Sequence, residues 1–375
     1  MRTNPVSLSA IVLAVGLTGA ALPSHAVQVS VQNLVTDDPA ANPAQITDPG
    51  LVNAWGISYS STSPFWVSSN GGGTSTLYKV DPVTQTTSKV ALTVAIPGAG
   101  NVTGQVFNSG GASQFNGDNF LFVSEDGTVS GWRGSLGTTA ETLASSATSI
   151  YKGAALATIG GNSYLYAANF GLGSIDVIKG NGGALNLTGS FTDAALPAGY
   201  SPFNVQMLDG SVFVTYAQRV GNSTDETDGA GLGVVDRYDL QGNLLGRVAS
   251  GGALNAPWGL AIAPSSFGAL AGSLLVGNFG DGHISAYDLA TDSFLGQVNG
   301  TNGQPLSIDG LWGLSVGNDG GAGSSQSLYF SAGPSDESHG LFGVLQAVPE
   351  PGSLAMLVAG LLLIGGRFSR REDRA

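Results

Sequence analysis

The stretch Ala253–Pro264 reads ALNAPWGLAIAP, a Pro-Trp-Gly followed by an alternating apolar run. Near-copies stand at Leu51–Ser60 (LVNAWGISYS) and Ile308–Gly317 (IDGLWGLSVG). Each is followed by the same succession. After the first comes PFWVSSNGGGTSTLYKVDPVTQ (Pro64–Gln85), after the second SLLVGNFGDGHISAYDLATDSFLG (Ser273–Gly296), and after the third SLYFSAGPSDESHGLFGVL (Ser327–Leu345). Short alternating runs bounded by Gly and Asn are strand and turn signals.

Three weaker copies fill the middle: NVTGQVFN (Asn101–Asn108), YKGAALAT (Tyr151–Thr158) and SPFNVQML (Ser201–Leu208). Aligning all six on Gly56, Gly104, Gly153, Asn204, Gly259 and Gly313 leaves intervals of 48, 49, 51, 55 and 54 residues. Six copies of this length, each rich in strand signals, predict an all-β six-bladed β-propeller over residues 27–347, with four strands per blade. The Trp-Gly phrase then opens the innermost strand of a blade, and glycine fits where those strands crowd the axis. Trp55, Trp258 and Trp312 have two readings: core packing between blades, or an aromatic lining at one mouth of the channel. The irregular lead-in, Asn33–Pro43 with Thr47–Gly50, is expected to donate the outer strand that closes the ring onto the last blade.

Composition agrees. There are 58 glycines, no cysteine and only 10% charged residues, a profile of turn-rich β structure. Without disulfides, the protein must draw its stability from a large core and extensive strand pairing.

Both ends read as processing segments. Residues 1–26 hold Arg2, an apolar run Leu8–Leu22 and a small-x-small site, Ser24-His25-Ala26, the pattern of a secretory signal peptide. Residues 348–375 hold Pro349-Glu350-Pro351, an apolar stretch Leu354–Gly366 and the basic residues Arg367, Arg370, Arg371 and Arg374, the order of a stop-transfer helix with a positive end. Five of the 13 basic residues lie in these segments, and two of the 26 acidic ones, Glu372 and Asp373, lie beyond Pro351. Eight against 24 remain between Val27 and Pro351, a net charge near −16. Nucleic acid is therefore not expected as a partner. A monomer is expected.

No nucleophile elbow, phosphate loop, metalloprotease motif or cysteine nucleophile occurs. A serine–histidine mechanism would have to recruit His283 or His339, both in turns. Oxygen donors at strand ends are the candidate ligands for a channel mouth: Asn53, Glu125, Asn169, Asn204, Asn278 and Asp309, with Asn70, Asp126 and Asn255 beside them. Such a set suits Ca²⁺, or it merely caps turns. The insertion Arg219–Gly231 is the most acidic loop, with Asp225, Glu226 and Asp228, and reads as a solvated charge run or a Ca²⁺ loop.

The repeat wording resembles NHL-type six-bladed propellers. NLVTDDP (Asn33–Pro39), DPGLVNAWGIS (Asp48–Ser58), GRVASGGALNAPWGLAIAP (Gly246–Pro264) and LLVGNFGDGHISAYD (Leu274–Asp288) resemble a family of exported bacterial NHL-like propellers. That family carries a PEP-CTERM sorting signal, which Pro349-Glu350-Pro351, the helix and the arginines also resemble. The resemblance implies processing by an exosortase, a transient membrane anchor through the C-terminal helix, and a final place at the cell surface or outside it. It implies no reaction. A binding or interaction module for polysaccharide or envelope proteins is the expectation. The alternative is a Ca²⁺-dependent lactonase or lyase, since SIDGLWGL and SPFNVQ resemble the metal-ligand positions of gluconolactonase-type propellers, with Asn53 in place of the acid of the first blade.

Overall fold

A computed structural model describes residues 27–348. The expected signal peptide and the tail with Pro349, Glu350, Pro351, Arg367, Arg370 and Arg371 lie outside the described residues. Among the described residues no helix is long and apolar enough to cross a membrane.

The chain forms a six-bladed β-propeller. The innermost strands are Ala54–Ser58, Val102–Phe107, Tyr151–Ile159, Tyr200–Leu208, Pro257–Ile262 and Leu311–Val316. Each opens an antiparallel meander that runs outward; in blade 1 it continues through Phe65–Ser69, Thr74–Val80 and Thr87–Ala95. Consecutive innermost strands pack on one another, and the sixth packs on the first, closing the ring.

Two blades depart from the expected four consecutive strands. Blade 3 has three, ending at Ser174–Lys179. The chain beyond it pairs elsewhere: the Gly189 and Phe191 amides donate to Gln241 and Gly242 carbonyls in a turn of blade 4. Phe191 is buried with Tyr166 and Tyr238, so this segment wedges between blades instead of edging one. Blade 6 takes its outer strand from the N-terminal segment Gln28–Thr36, antiparallel to Leu341–Ala347. The closing strand thus begins earlier than the expected lead-in and shares only Asn33–Thr36 with it. Ile46–Thr47 adds a short parallel pairing outside it.

All six innermost strands carry a register irregularity at the aligned glycine or asparagine, for example between Ala54 and Ile57 and between Pro257 and Gly259. Such bulges re-aim side chains. Close approach explains the glycines: a Cβ on Gly56 would lie 2.5 Å from the Thr103 carbonyl of the next innermost strand, and one on Gly259 would lie 2.5 Å from that of Trp312. In blade 4 Asn204 stands at this position and spans the gap with its amide, which donates to the Trp258 carbonyl at 2.7 Å.

Six apolar clusters fill the spaces between neighbouring blades, and a seventh lies on the axis. Between blades stands Trp66, stacked on Phe120 and with the partly buried Trp132 beside it. Trp55, Trp258 and Trp312 belong to the axial cluster instead, together with Phe170 and Phe203. The tryptophan before each of these bulged glycines is turned to the axis, which is why the three meet one another there and not in the apolar space between two blades.

Candidate functional site

The axial cluster is an aromatic plug. Trp55 and Trp312 stack with centroids 3.6 Å apart, and Trp258 meets both edge-on at 6.0 and 5.8 Å. Phe279 stacks on Trp312 at 4.2 Å. None of the three tryptophans is more than 4% exposed. They close the channel, and of the three Trp258 also borders the cavity at its far end.

The positions immediately before the aligned residues are Trp55, Thr103, Lys152, Phe203, Trp258 and Trp312. One of these axial residues is charged. Lys152 is 2% exposed, with its ammonium 5.1 Å from the Trp55 ring centroid and 5.8 Å from that of Phe170. Its Nζ donates to Glu125 Oε1 at 2.5 Å and lies 3.6 Å from Asp225 Oδ1. Burial alone would favour the neutral amine, yet Glu125, Glu226 and Asp225 hold its pKa above the ordinary lysine value. Lys152 is therefore a fixed cation and no nucleophilic amine.

Around it the start of the channel is sealed by side chains from five blades. Glu125 Oε2 accepts from Asn70 Nδ2 at 3.2 Å. Asn53 Nδ2 donates to Glu337 Oε2 at 2.6 Å, and Asn53 Oδ1 accepts from the indoles of Trp55 (2.9 Å) and Trp312 (3.1 Å). Burial raises the Glu337 carboxyl above its usual range. Burial also pushes Glu226 up to about 7, against the attraction of Lys152. The insertion that carries Asp225 and Glu226 is pinned by Arg219. The Arg219 guanidinium donates to the Gly171 and Ser223 carbonyls at 2.7 Å and lies over Phe170.

Of the donors expected at one mouth, Asn53 and Glu125 do meet there. Asn169 is engaged with Ser149 and Asp176 and with the Ile150 and Leu172 amides. Asn278 ties the Ala253 carbonyl to Asp281, and Asp309 accepts from the Ser335 amide. These three act as turn braces. Asn204 lies at the opposite end of the channel. Lys152 and Glu337 were missed by sequence reasoning. The signal for Lys152 was its register: it is the only charged residue among the six that precede the aligned positions.

The donor set does not fit a calcium ion. The carboxylates converge on an ammonium, and both Glu125 oxygens are committed. Among the described residues no group of three or more His, Asp or Glu side chains is arranged to hold a metal. The histidines pair with acids: His339 Nδ1 lies 3.0 Å from Asp37 Oδ2, and His283 Nδ1 3.4 Å from Asp281 Oδ1. Neither contacts a serine hydroxyl among the described residues.

The class is thus a six-bladed propeller with an ion-paired mouth over an aromatic plug. No family profile matches the chain. It is 30% identical over 318 residues to the uncharacterized protein L690 of Acanthamoeba polyphaga mimivirus, spanning 80% of this chain and 81% of that one. It is 31% identical over 291 residues to the uncharacterized protein R648 of the same virus, spanning 73% and 70%. The chain belongs to the family of these proteins. Solved structures of similar shape include the Neurospora crassa Pan2 WD40 domain, 12% identical with a TM-score of 0.47 over 84% of this chain and 95% of that one. Another is a Nidogen/Laminin complex, 10% identical with a TM-score of 0.42 over 70% and 84%.

Proposed function

We propose that the protein is an exported propeller that acts as a binding or interaction module at the cell envelope or in extracellular material, sorted through its PEP-CTERM tail by an exosortase. One observation carries this reading. The propeller begins with the strand Gln28–Thr36 and ends with Leu341–Ala347. Cleavage after Ala26 and removal of the segment from Pro349 onward would therefore take nothing from the ring. Among the described residues no donor set favours the calcium-dependent lactonase alternative.

Intact-mass measurement tests the sorting. In a host with an exosortase the exported protein should start at Val27 and lack Leu354–Gly366, and in a host without one it should keep them. A full-length arginine tail in the first host overturns the reading. Fractionation tests the location: the processed chain should sediment with envelope or extracellular material.

A further inference from the structure

The closing strand Gln28–Thr36 bonds along its inner edge to Leu341–Ala347. Its outer edge is covered at the two ends only. Asn299–Gly300 runs parallel beside Gln28–Val29, and Ile46–Thr47 runs parallel beside Val35–Thr36. The Gln45 amide extends the second pairing to the Asn33 carbonyl. Between these flanks Ser30, Val31 and Gln32 have no outer backbone partner among the described residues. Groups that face one edge of a strand recur every second residue. The Val27 and Asn33 carbonyls face outward, accepting from the Asn299 and Gln45 amides, so the Val31 amide and carbonyl face into the gap.

This edge lacks the protection of the others. The outermost strands of blades 1 to 4 carry Lys89, Glu141, Asp176 and Arg247, and that of blade 5, Phe294–Gln297, has four residues. Charge and shortness both keep an edge from adding strands. Gln28–Thr36 has nine residues and no charge. Val31 is 43% exposed, and beside it a pocket of about 170 Å³ is walled by Leu306, Ile308, Phe330 and Leu341. Val31 lies directly opposite Leu345, which belongs to the apolar cluster holding Ile308, Phe330 and Leu341. Residues directly opposite share a face, so the Val31 side chain leaves the sheet on the side of the pocket. Of the residues lining the pocket and the two grooves that continue from it along the edge, only Asp309 is charged.

We propose that the gap docks an extended peptide segment of a partner protein, which carries an aliphatic side chain between basic residues and enters as a fifth strand parallel to Gln28–Thr36. Both flanking pairings are parallel, and they set that direction. The peptide residue level with Val31 places its side chain on the same face, into the pocket. The residue before it accepts from the Val31 amide, and the residue after it donates to the Val31 carbonyl. Strand addition of this kind takes affinity from main-chain bonds and specificity from the pocket. The edge of a second copy cannot enter, because the two flanks stand a strand's width of about 4.8 Å beyond the gap. Basic residues follow from charge: the chain carries −13, and Asp309 stands in the pocket wall. The inference rests on the binding-module reading and gives it a protein partner.

The probe is a set of fluorescein-labelled peptides Lys-Thr-Val-Xaa-Val-Thr-Lys, with Xaa Ala, Val, Leu, Ile, Met or Phe, titrated into the protein with and without residues 349–375 and followed by anisotropy. The best aliphatic Xaa should bind about tenfold more tightly than Ala. N-methylation of the valine after Xaa removes the donor to Val31 and should weaken binding by about tenfold. N-methylation of Xaa itself, whose amide points away from the protein, should leave affinity within about twofold. Exchange of both lysines for glutamate should weaken binding by about tenfold. Val31→Pro removes the outward amide, which Leu341–Ala347 does not use, and should abolish binding with the melting temperature kept. Ser307→Trp, at an exposed position over the pocket, should do the same. Val83→Ser, on the exposed outer surface, should change nothing. The proposal is overturned if no peptide of the set binds, if the two N-methylated peptides bind alike, or if both protein variants bind as the parent does. Binding seen only without residues 349–375 would make the chain's own tail the occupant and overturn it too, as would self-association lost in Val31→Pro. Envelope association by a protein that binds no peptide sinks this inference alone. Peptide binding by a protein that is never exported sinks the localisation instead.

Discussion

The two ends of the channel are built from the same six strands and are chemically opposite. At the strand starts, Lys152, Glu125, Asp225 and Glu337 gather over a dry aromatic floor. At the strand ends, the wall is uncharged and hollow. The difference comes from which residues the bulges turn to the axis and from one insertion. Large aromatics before the glycines fill the axis, and the Arg219–Gly231 loop places acid above the single lysine. Nothing comparable covers the far end. Formal charge thus marks the closed end of this propeller, and neutrality marks the open one.

The sharpest way to break this comparison is to remove the partition. Trp312 is fully buried and stacked on two rings. Trp312→Ala should cost about 3–5 kcal/mol in chemical denaturation. A loss below about 1 kcal/mol would mean that the plug is not part of the core. Next in size is Lys152→Met, which leaves Glu125 facing Asp225, Glu226 and Glu337 without a cation. A loss of about 3 kcal/mol at pH 7 is expected, at the low end for a broken buried pair because Glu125 retains some solvent contact. The defect should shrink as pH falls and the carboxyls protonate. A loss that is independent of pH would count against the ion cluster.

Gly259→Ala probes the contact between innermost strands, where the new methyl meets the Trp312 carbonyl. Overpacking of this kind costs about 2 kcal/mol, read as a drop in melting temperature. The smallest effect has the opposite sign. Glu226 has a folded pKa near 7, above the ordinary glutamate value of about 4.5. The folded state binds the extra proton, so this group's contribution is undiminished at low pH and is lost as pH rises through about 4.5 to 7. Glu226→Gln should flatten that part of the profile and stabilise the protein by about 1 kcal/mol at pH 8. A variant less stable than the parent at pH 8 would show that the charged form is welcome in the loop.

The ring was legible in the sequence because its cause is local and periodic. A bulge glycine recurs about every 50 residues, and the strand that carries it alternates around it. Blade 3 was not legible in the same way. ALNLTGSF (Ala184–Phe191) has enough apolar residues for an outer strand, and the packing of Phe191 against Tyr238, with the Gly189 and Phe191 amides bonded to the Gln241–Gly242 turn, draws it to the next blade. The closing strand QVSVQNLVT (Gln28–Thr36) alternates weakly, and its partner lies more than 300 residues away, so local pattern could not set its start. Of the site, Asn53 and Glu125 were found as polar strand ends. Asn169, Asn278 and Asp309 look the same in sequence yet brace turns, because composition does not say which way an amide points. Asp225 and Glu226 were visible as charge, but that they face a buried lysine depends on how a loop folds over the axis.

The ring closure also sets a timetable. The strand that completes blade 6 is among the first parts of the propeller to be made, and Leu341–Ala347, its partner, is the last. Until then the inner edge of Gln28–Thr36 and five finished blades wait on an open arc with unpaired amides at both ends. Contacts of such long sequence separation form slowly. A chain that stops short of Leu341 has no partner to offer the first strand. Synthesis of Leu341–Ala347 and completion of the circle are therefore coupled, and a copy that lacks this strand stays distinguishable from a closed one by its free edge.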